Sequence, residues 1–85
     1  MIVEVLTPEK KLFSGEAKGV QCPGVTGLFE VLDNHAPMIA ALGNGKVLIK
    51  TNEGVKTIRI SSGFMECLQN KVVVLVEGGE IIDSL

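Results

Sequence analysis

Tryptophan and tyrosine are absent from this chain of 85 residues, and phenylalanine occurs only three times. A core without large aromatics has to be assembled from Val, Ile and Leu, which suit a pleated, half-buried surface and favour strands. The chain has no excess of basic charge: its formal net charge is -2 and its pI about 5.3. Nucleic-acid surfaces need a basic stripe with interleaved aromatics, and anionic membrane surfaces need clustered Lys and Arg. Neither is here, the longest basic run being Lys10-Lys11. Cysteine is limited to Cys22 and Cys67, with no CxxC pair. That usage fits two small buried hydrophobes in a reducing compartment, with no disulfide expected. With His35 the only histidine, the ligands for a structural zinc are lacking. No apolar run approaches the ~20 residues of a membrane-spanning helix. The start, Met1-Ile2-Val3-Glu4, lacks a basic n-region and reads as a mature N-terminus.

What is present is aliphatic. Hydrophobic residues make up 46% of the chain, a high share for a domain this small. A chain of this length forms one domain and buries only ~60–65% of its unfolded surface. The apolar surplus therefore implies that a partner covers some of it. Turn signals recur every few residues, at Pro8-Glu9, Ser14-Gly15, Pro23-Gly24, Asp33-Asn34, Gly43-Asn44-Gly45, Asn52-Glu53-Gly54, Ser61-Ser62-Gly63, Gln69-Asn70 and Gly78-Gly79. Short segments rich in Val, Ile and Leu lie between them, none with a sustained 3.6 period. That rhythm predicts an all-β sandwich or barrel with no substantial helix. The clearest hairpin joins 46–51 to 55–61 through Asn52-Glu53-Gly54. Val72-Val73-Val74-Leu75-Val76 is apolar on both faces, as a central core strand is; alternatively one of its faces meets another chain. The segment 80–85 is a last edge strand or a loose tail.

Unusual local chemistry gathers between Gly24 and Met38. Glycines loosen the backbone, Asp33-Asn34 bends it, and Pro37 forces Ala36 toward an extended form. Pro37 belongs at a sheet edge, a bulge or the start of a strand. His35 is the only candidate general base, but no nucleophile or oxyanion donor accompanies it. No G-x-S-x-G elbow occurs, and Gly24-x-x-Gly27 leads into a strand where a phosphate cradle needs a helix. These residues point to no catalytic, cofactor or metal site, and to a binding role for the bend.

Laid end to end, the motifs resemble the ε subunit of F-type ATP synthase, in its N-terminal β-sandwich domain. The resemblance is carried by Val5-Leu6-Thr7-Pro8-Glu9, Leu12-Phe13-Ser14-Gly15-Glu16, Pro23-Gly24, Gly27 with Val31-Leu32, and Asn34-His35-Ala36-Pro37. It continues in Ser62-Gly63-Phe64 with Glu66, and in Lys71-Val72-Val73-Val74-Leu75. Three positions depart from the commoner pattern: Leu28 where an acid is frequent, Glu30 where glycine is usual, and Asp33 where proline is frequent. The resemblance implies a ten-stranded sandwich of two sheets spanning 1–85, without the two-helix C-terminal domain that relatives commonly carry. It implies a non-catalytic central-stalk subunit without cofactor. Such a subunit is peripheral on the cytoplasmic side of a bacterial inner membrane, docked on subunit γ and the polar loops of the c ring. Its coupling to the αβ hexamer is indirect.

On that basis the stretch from Thr26 to Asn34 is expected toward the c ring, through Thr26, Leu28, Glu30, Asp33 and Asn34. His35, Met38, Ala40 and Leu42 are expected toward γ. Two alternatives remain open from the residues alone. A biotinyl or lipoyl carrier would present a lysine at a hairpin tip, and Asn52-Glu53-Gly54 has none. A free-standing ligand-binding domain would need a concave site with converging polar groups.

Overall fold

The computed structural model describes residues 1–84, all of whose regular structure is strand. The strands are β1 (Ile2–Leu6), β2 (Lys11–Glu16), β3 (Gly19–Gly24), β4 (Gly27–Leu32), β5 (Met38–Leu42), β6 (Gly45–Thr51), β7 (Gly54–Ile60), β8 (Gly63–Leu68), β9 (Lys71–Val76) and β10 (Gly79–Ser84). They form two layers, β4-β3-β6-β7-β10 and β5-β8-β9-β1-β2, joined where Gly24 of β3 meets Leu42 of β5. Neighbours pair antiparallel throughout, except that β1 runs parallel to β9. A single chain thus wraps into a sandwich in which β2 and β10 lie side by side at one margin.

Period-2 alternation decides what goes inside. Val20, Cys22, Val31, Val47, Ile49, Ile58 and Ile60 fill the core from the first layer. Val3, Val5, Met65, Cys67, Val72, Val74 and Val76 fill it from the second. Branched aliphatic side chains stacked from both layers take the place of the missing aromatics. Among the described residues no polar or charged residue type is buried, so the core desolvates no charged side chain. The expected core strand at 72–76 is resolved by parity: Val72, Val74 and Val76 point in, while Val73 and Leu75 point out.

Several boundaries move from their sequence-based positions for identifiable reasons. Pro23-Gly24 is not the turn; β3 runs through it, and the chain reverses at Val25-Thr26, between the paired Gly24 and Gly27. Proline is tolerated there because β6 has already left that edge, and the Pro23 carbonyl still accepts the Gly43 N–H at 2.9 Å. Pro37 immediately precedes β5, as its missing N–H demands. The β8–β9 turn places Gln69 and Asn70 at φ 51° and 60°, the left-handed pair of a tight hairpin. The chain end at 79–84 is an edge strand on β7; Leu85 lies outside the described residues.

Candidate functional site

The two outer faces of the sandwich differ. On the outside of β4-β3-β6-β7, Gln21, Glu30, Lys46, Lys50, Thr57 and Arg59 outnumber the apolar residues, of which Leu28 and Leu32 on the edge strand β4 are the most exposed. The Lys50 ammonium reaches across Gly19 to the Glu30 carboxylate at 2.7 Å. Gly19 permits this, since a Cβ there would stand 3.1 Å from that same carboxylate oxygen. Water suits such a face.

The outside of β5-β8-β9-β1 is apolar. Ala41, Phe64, Leu75 and Leu6 lie in one cross-strand row. Ile39, Glu66, Val73 and Glu4 lie in the next, and Leu68, Lys71 and Ile2 close the face. Ile39 is 73% exposed, Phe64 60% and Leu75 52%. The charge of Glu4 within this face is answered by Lys71 at 3.6 Å and Lys11 at 3.8 Å. Beside Phe64 and Leu75 a shallow groove runs to Leu6, Pro8 and Ala41. Ala41, Phe64, Leu75 and Leu6 make a contiguous exposed apolar row, with Glu66 set among Ile39, Leu68 and Val73 beside it; an exposed apolar patch of this kind is the mark of an interaction surface. Sequence reasoning noted that 72–76 is apolar on both sides. The two-residue turn at Gln69-Asn70 sets Phe64 opposite Leu75, and that register was the available signal.

The residues expected at partner contacts spread further than a single loop. Thr26 forms the tip of the β3–β4 hairpin, with Leu28 next to it at 70% exposure. Asp33 and Asn34 lie past the far end of β4, about 20 Å away at strand rise. There Asn34 sits at φ 63° in a turn closed by His35 N–H to Leu32 carbonyl, 3.1 Å. The Asp33 carboxylate accepts from the Met1 ammonium at 2.6 Å, and the Asn34 N–H donates to the Asn70 side-chain oxygen at 2.8 Å. The ammonium holds the Asp33 carboxyl below its ordinary pKa, against partial desolvation, with a smaller contribution from Asn70. This end of β4 is a brace.

Parity separates the other group. Met38 and Ala40 turn inward against the core, and Leu42 is only 3% exposed. A buried Leu42 side chain offers a partner nothing. The outward residues of β5 are Ile39 and Ala41. His35 is exposed, its Nδ1 2.7 Å from the Ala36 carbonyl oxygen. Its own carbonyl accepts a weak bond from the buried Cys67 thiol at 3.8 Å. Among the described residues no nucleophile or carboxylate is hydrogen-bonded to its ring. Among the described residues, no three His, Cys, Asp or Glu side chains converge as a metal site would require.

A family model described as "ATP synthase, Delta/Epsilon chain, beta-sandwich domain" matches residues 1–81. The ATP synthase epsilon chain of Salinibacter ruber is 43% identical over 86 residues, a match covering 91% of this chain and 58% of that one. The epsilon chain of Chlorobaculum tepidum is 43% identical over 76 residues, covering 88% of this chain and 86% of the relative. Of solved structures, a chain of the Euglena gracilis mitochondrial ATP synthase (OSCP, F1 and c ring) superposes with a TM-score of 0.88 at 18% identity. That match covers 98% of this chain and 56% of the Euglena one. A chain from the Tetrahymena thermophila central stalk and c ring gives 0.78 at 16%, covering 93% of this chain and 64% of that one. The structural matches establish the fold. In length the chain spans a little over half of the Salinibacter relative and most of the Chlorobaculum one.

Proposed function

The chain belongs to the ATP synthase delta/epsilon β-sandwich family, and we propose that it is a non-catalytic central-stalk subunit of an F-type ATP synthase. In this reading it rides on γ and couples rotation of the c ring to ATP synthesis or hydrolysis in the αβ hexamer. The observation that carries the proposal is the apolar outer face built on Ile39, Phe64, Leu68 and Leu75. A rotor subunit needs one lasting interface, and lasting interfaces are more apolar than the rest of a protein's surface. We place γ on this face, with His35 at its margin. A close-packed aliphatic sandwich is stiff, as a torque-bearing adapter must be.

The β3–β4 hairpin supports a second contact. Its tip at Val25-Thr26, with Leu28 and Glu30, is assigned to the polar loops of the c ring. Asp33 and Asn34 are assigned the brace that holds the far end of β4. No helix of the described residues is long and apolar enough to cross a membrane. The bacterial relatives support a bacterial membrane context, and in this reading the subunit lies at the cytoplasmic face of the inner membrane.

Co-expression with a bacterial γ subunit tests the reading. A one-to-one complex that survives size exclusion is expected; failure to co-purify with γ would refute it. Glu30→Lys tests the ring contact separately. It should weaken coupling of ATP hydrolysis to ion pumping in membrane vesicles, and unchanged coupling would remove Glu30 from that contact.

A further inference from the structure

A sheet edge is a row of unpaired backbone groups, and natural sheets blunt their edges with bulges, prolines and charges. The margins at β2, β10 and β5 are blunted in this way. Irregularities interrupt the β1–β2 ladder between Val5 and Leu6 and the β10–β7 ladder between Ile81 and Asp83. β2 follows Lys10, and β5 starts directly after Pro37. β4 has neither bulge nor proline. It pairs with β3 in unbroken register from Gly27 to Leu32 and contains no lysine. Its one charge, Glu30, gives Oε2 to Lys50 at 2.7 Å and keeps Oε1 without a partner among the described residues.

The hairpin dictates which groups are free. Gly24 and Gly27 flank the turn as a hydrogen-bonded pair, so bonding to β3 alternates from there. Phe29 and Val31 bond to β3, while Leu28, Glu30 and Leu32 direct their N–H and C=O groups away from it. The Leu32 carbonyl accepts from His35. The remaining groups of Leu28, Glu30 and Leu32 meet no partner among the described residues. The side chains of the same residues stand on the outer face, with Leu28 and Leu32 both more than half exposed.

We infer that the free edge of β4 is a strand-acceptor site for an extended peptide segment of another protein. The segment is apolar at two positions four residues apart, over Leu28 and Leu32, and basic midway, over Glu30. Added strands of this kind gain affinity from main-chain hydrogen bonds and specificity from alternate side chains. A second copy of this chain fits poorly. Antiparallel pairing of two β4 strands that matches Leu28 with Leu32 sets Glu30 against Glu30, and like charges directly opposite are destabilising. Sliding the pair by two residues sets Leu28 against the other Glu30. The hydrogen bonds come from the backbone of β4, but Leu28 and Glu30 are also the residues assigned to the c-ring loops, so the peptide and the ring compete for this strand.

The test uses the full chain, labelled with nitrogen-15, and the capped heptapeptide Thr-Leu-Thr-Lys-Thr-Leu-Thr. Binding should shift the amide resonances of Leu28, Glu30 and Leu32 and slow their hydrogen exchange. The same peptide N-methylated at its lysine and leucines should bind at least about tenfold more weakly, having lost the donors that pair with the edge. Glu30→Pro should also abolish binding, since the N–H it removes is not used by β3. Should that variant not fold, the N-methylated comparison still decides. No change at these amides with millimolar peptide, or equal binding by the N-methylated peptide, would overturn the site. So would protection of these amides that rises with protein concentration alone, which would make a second copy the occupant.

Discussion

Gly63→Ala should be the most damaging single-methyl change in this chain. Gly63 opens β8 opposite Val76, and a Cβ on it would point directly into the backbone of β9. That atom would stand 2.9 Å from the Val76 Cα and collide with the Leu75 carbonyl, neither of which is the yielding end of a side chain. Relief requires β9 to move, and β9 carries Val72, Val74 and Val76 of the core and pairs with β1 on its other side. Overpacking of this kind costs about 3 kcal/mol, at the upper end of its usual range because backbone must shift. In a domain of this size that lowers Tm by about 12–24 °C. Gly15→Ala is the control: the added methyl would meet only the Phe13 ring at 3.5 Å, an ordinary contact, and should change Tm by no more than a few degrees. Thermal unfolding followed by far-ultraviolet circular dichroism measures both. Equal melting temperatures for the two variants would refute the packing assigned to Gly63.

Other consequences concern titration. Because the ammonium of Met1 lowers the Asp33 pKa, the stabilisation it gives is present above the ordinary carboxyl value of 3.8 and is lost as pH falls through the depressed one. Asp33→Asn should therefore lower Tm at pH 7, and the difference should shrink as pH falls below 3.8 through the depressed value; a pH-independent difference would contradict the brace. Burial pushes the Cys22 thiol up to about 12. Its contribution to stability is fully present below the ordinary thiol value of 9.0 and fades as pH rises toward 12. Denaturant midpoints should fall over that alkaline range, and less so in Cys22→Ala. At pH 8 a thiol reagent should modify neither Cys22 nor Cys67 until the protein unfolds, both being buried; prompt labelling of the native protein would refute that packing.

Most of the fold was legible because aliphatic runs and turn residues alternate cleanly. The hairpin at Asn52-Glu53 and the break before Pro37 follow from local chemistry alone. Pro23 misled because a proline beside a glycine signals a turn, and only tertiary context shows an edge with no donor required. The interaction surface was less legible. Strand parity at 38–42 depends on which side of β5 meets the core, and register with β8 fixes that. Met38, Ala40 and Leu42 face the core, and Ile39 and Ala41 face outward. Phe64 and Leu75 were noticed apart, though the Gln69-Asn70 turn brings them together.

The central claim is that the chain serves by gripping a partner through the apolar face of β5, β8 and β9. Its most direct test is the affinity for γ of the unaltered chain against a Phe64→Glu, Leu75→Glu variant. Both side chains are more than half exposed, so the variant should keep its melting temperature. It should bind γ at least about a hundredfold more weakly. Undiminished binding by a folded variant would contradict the account.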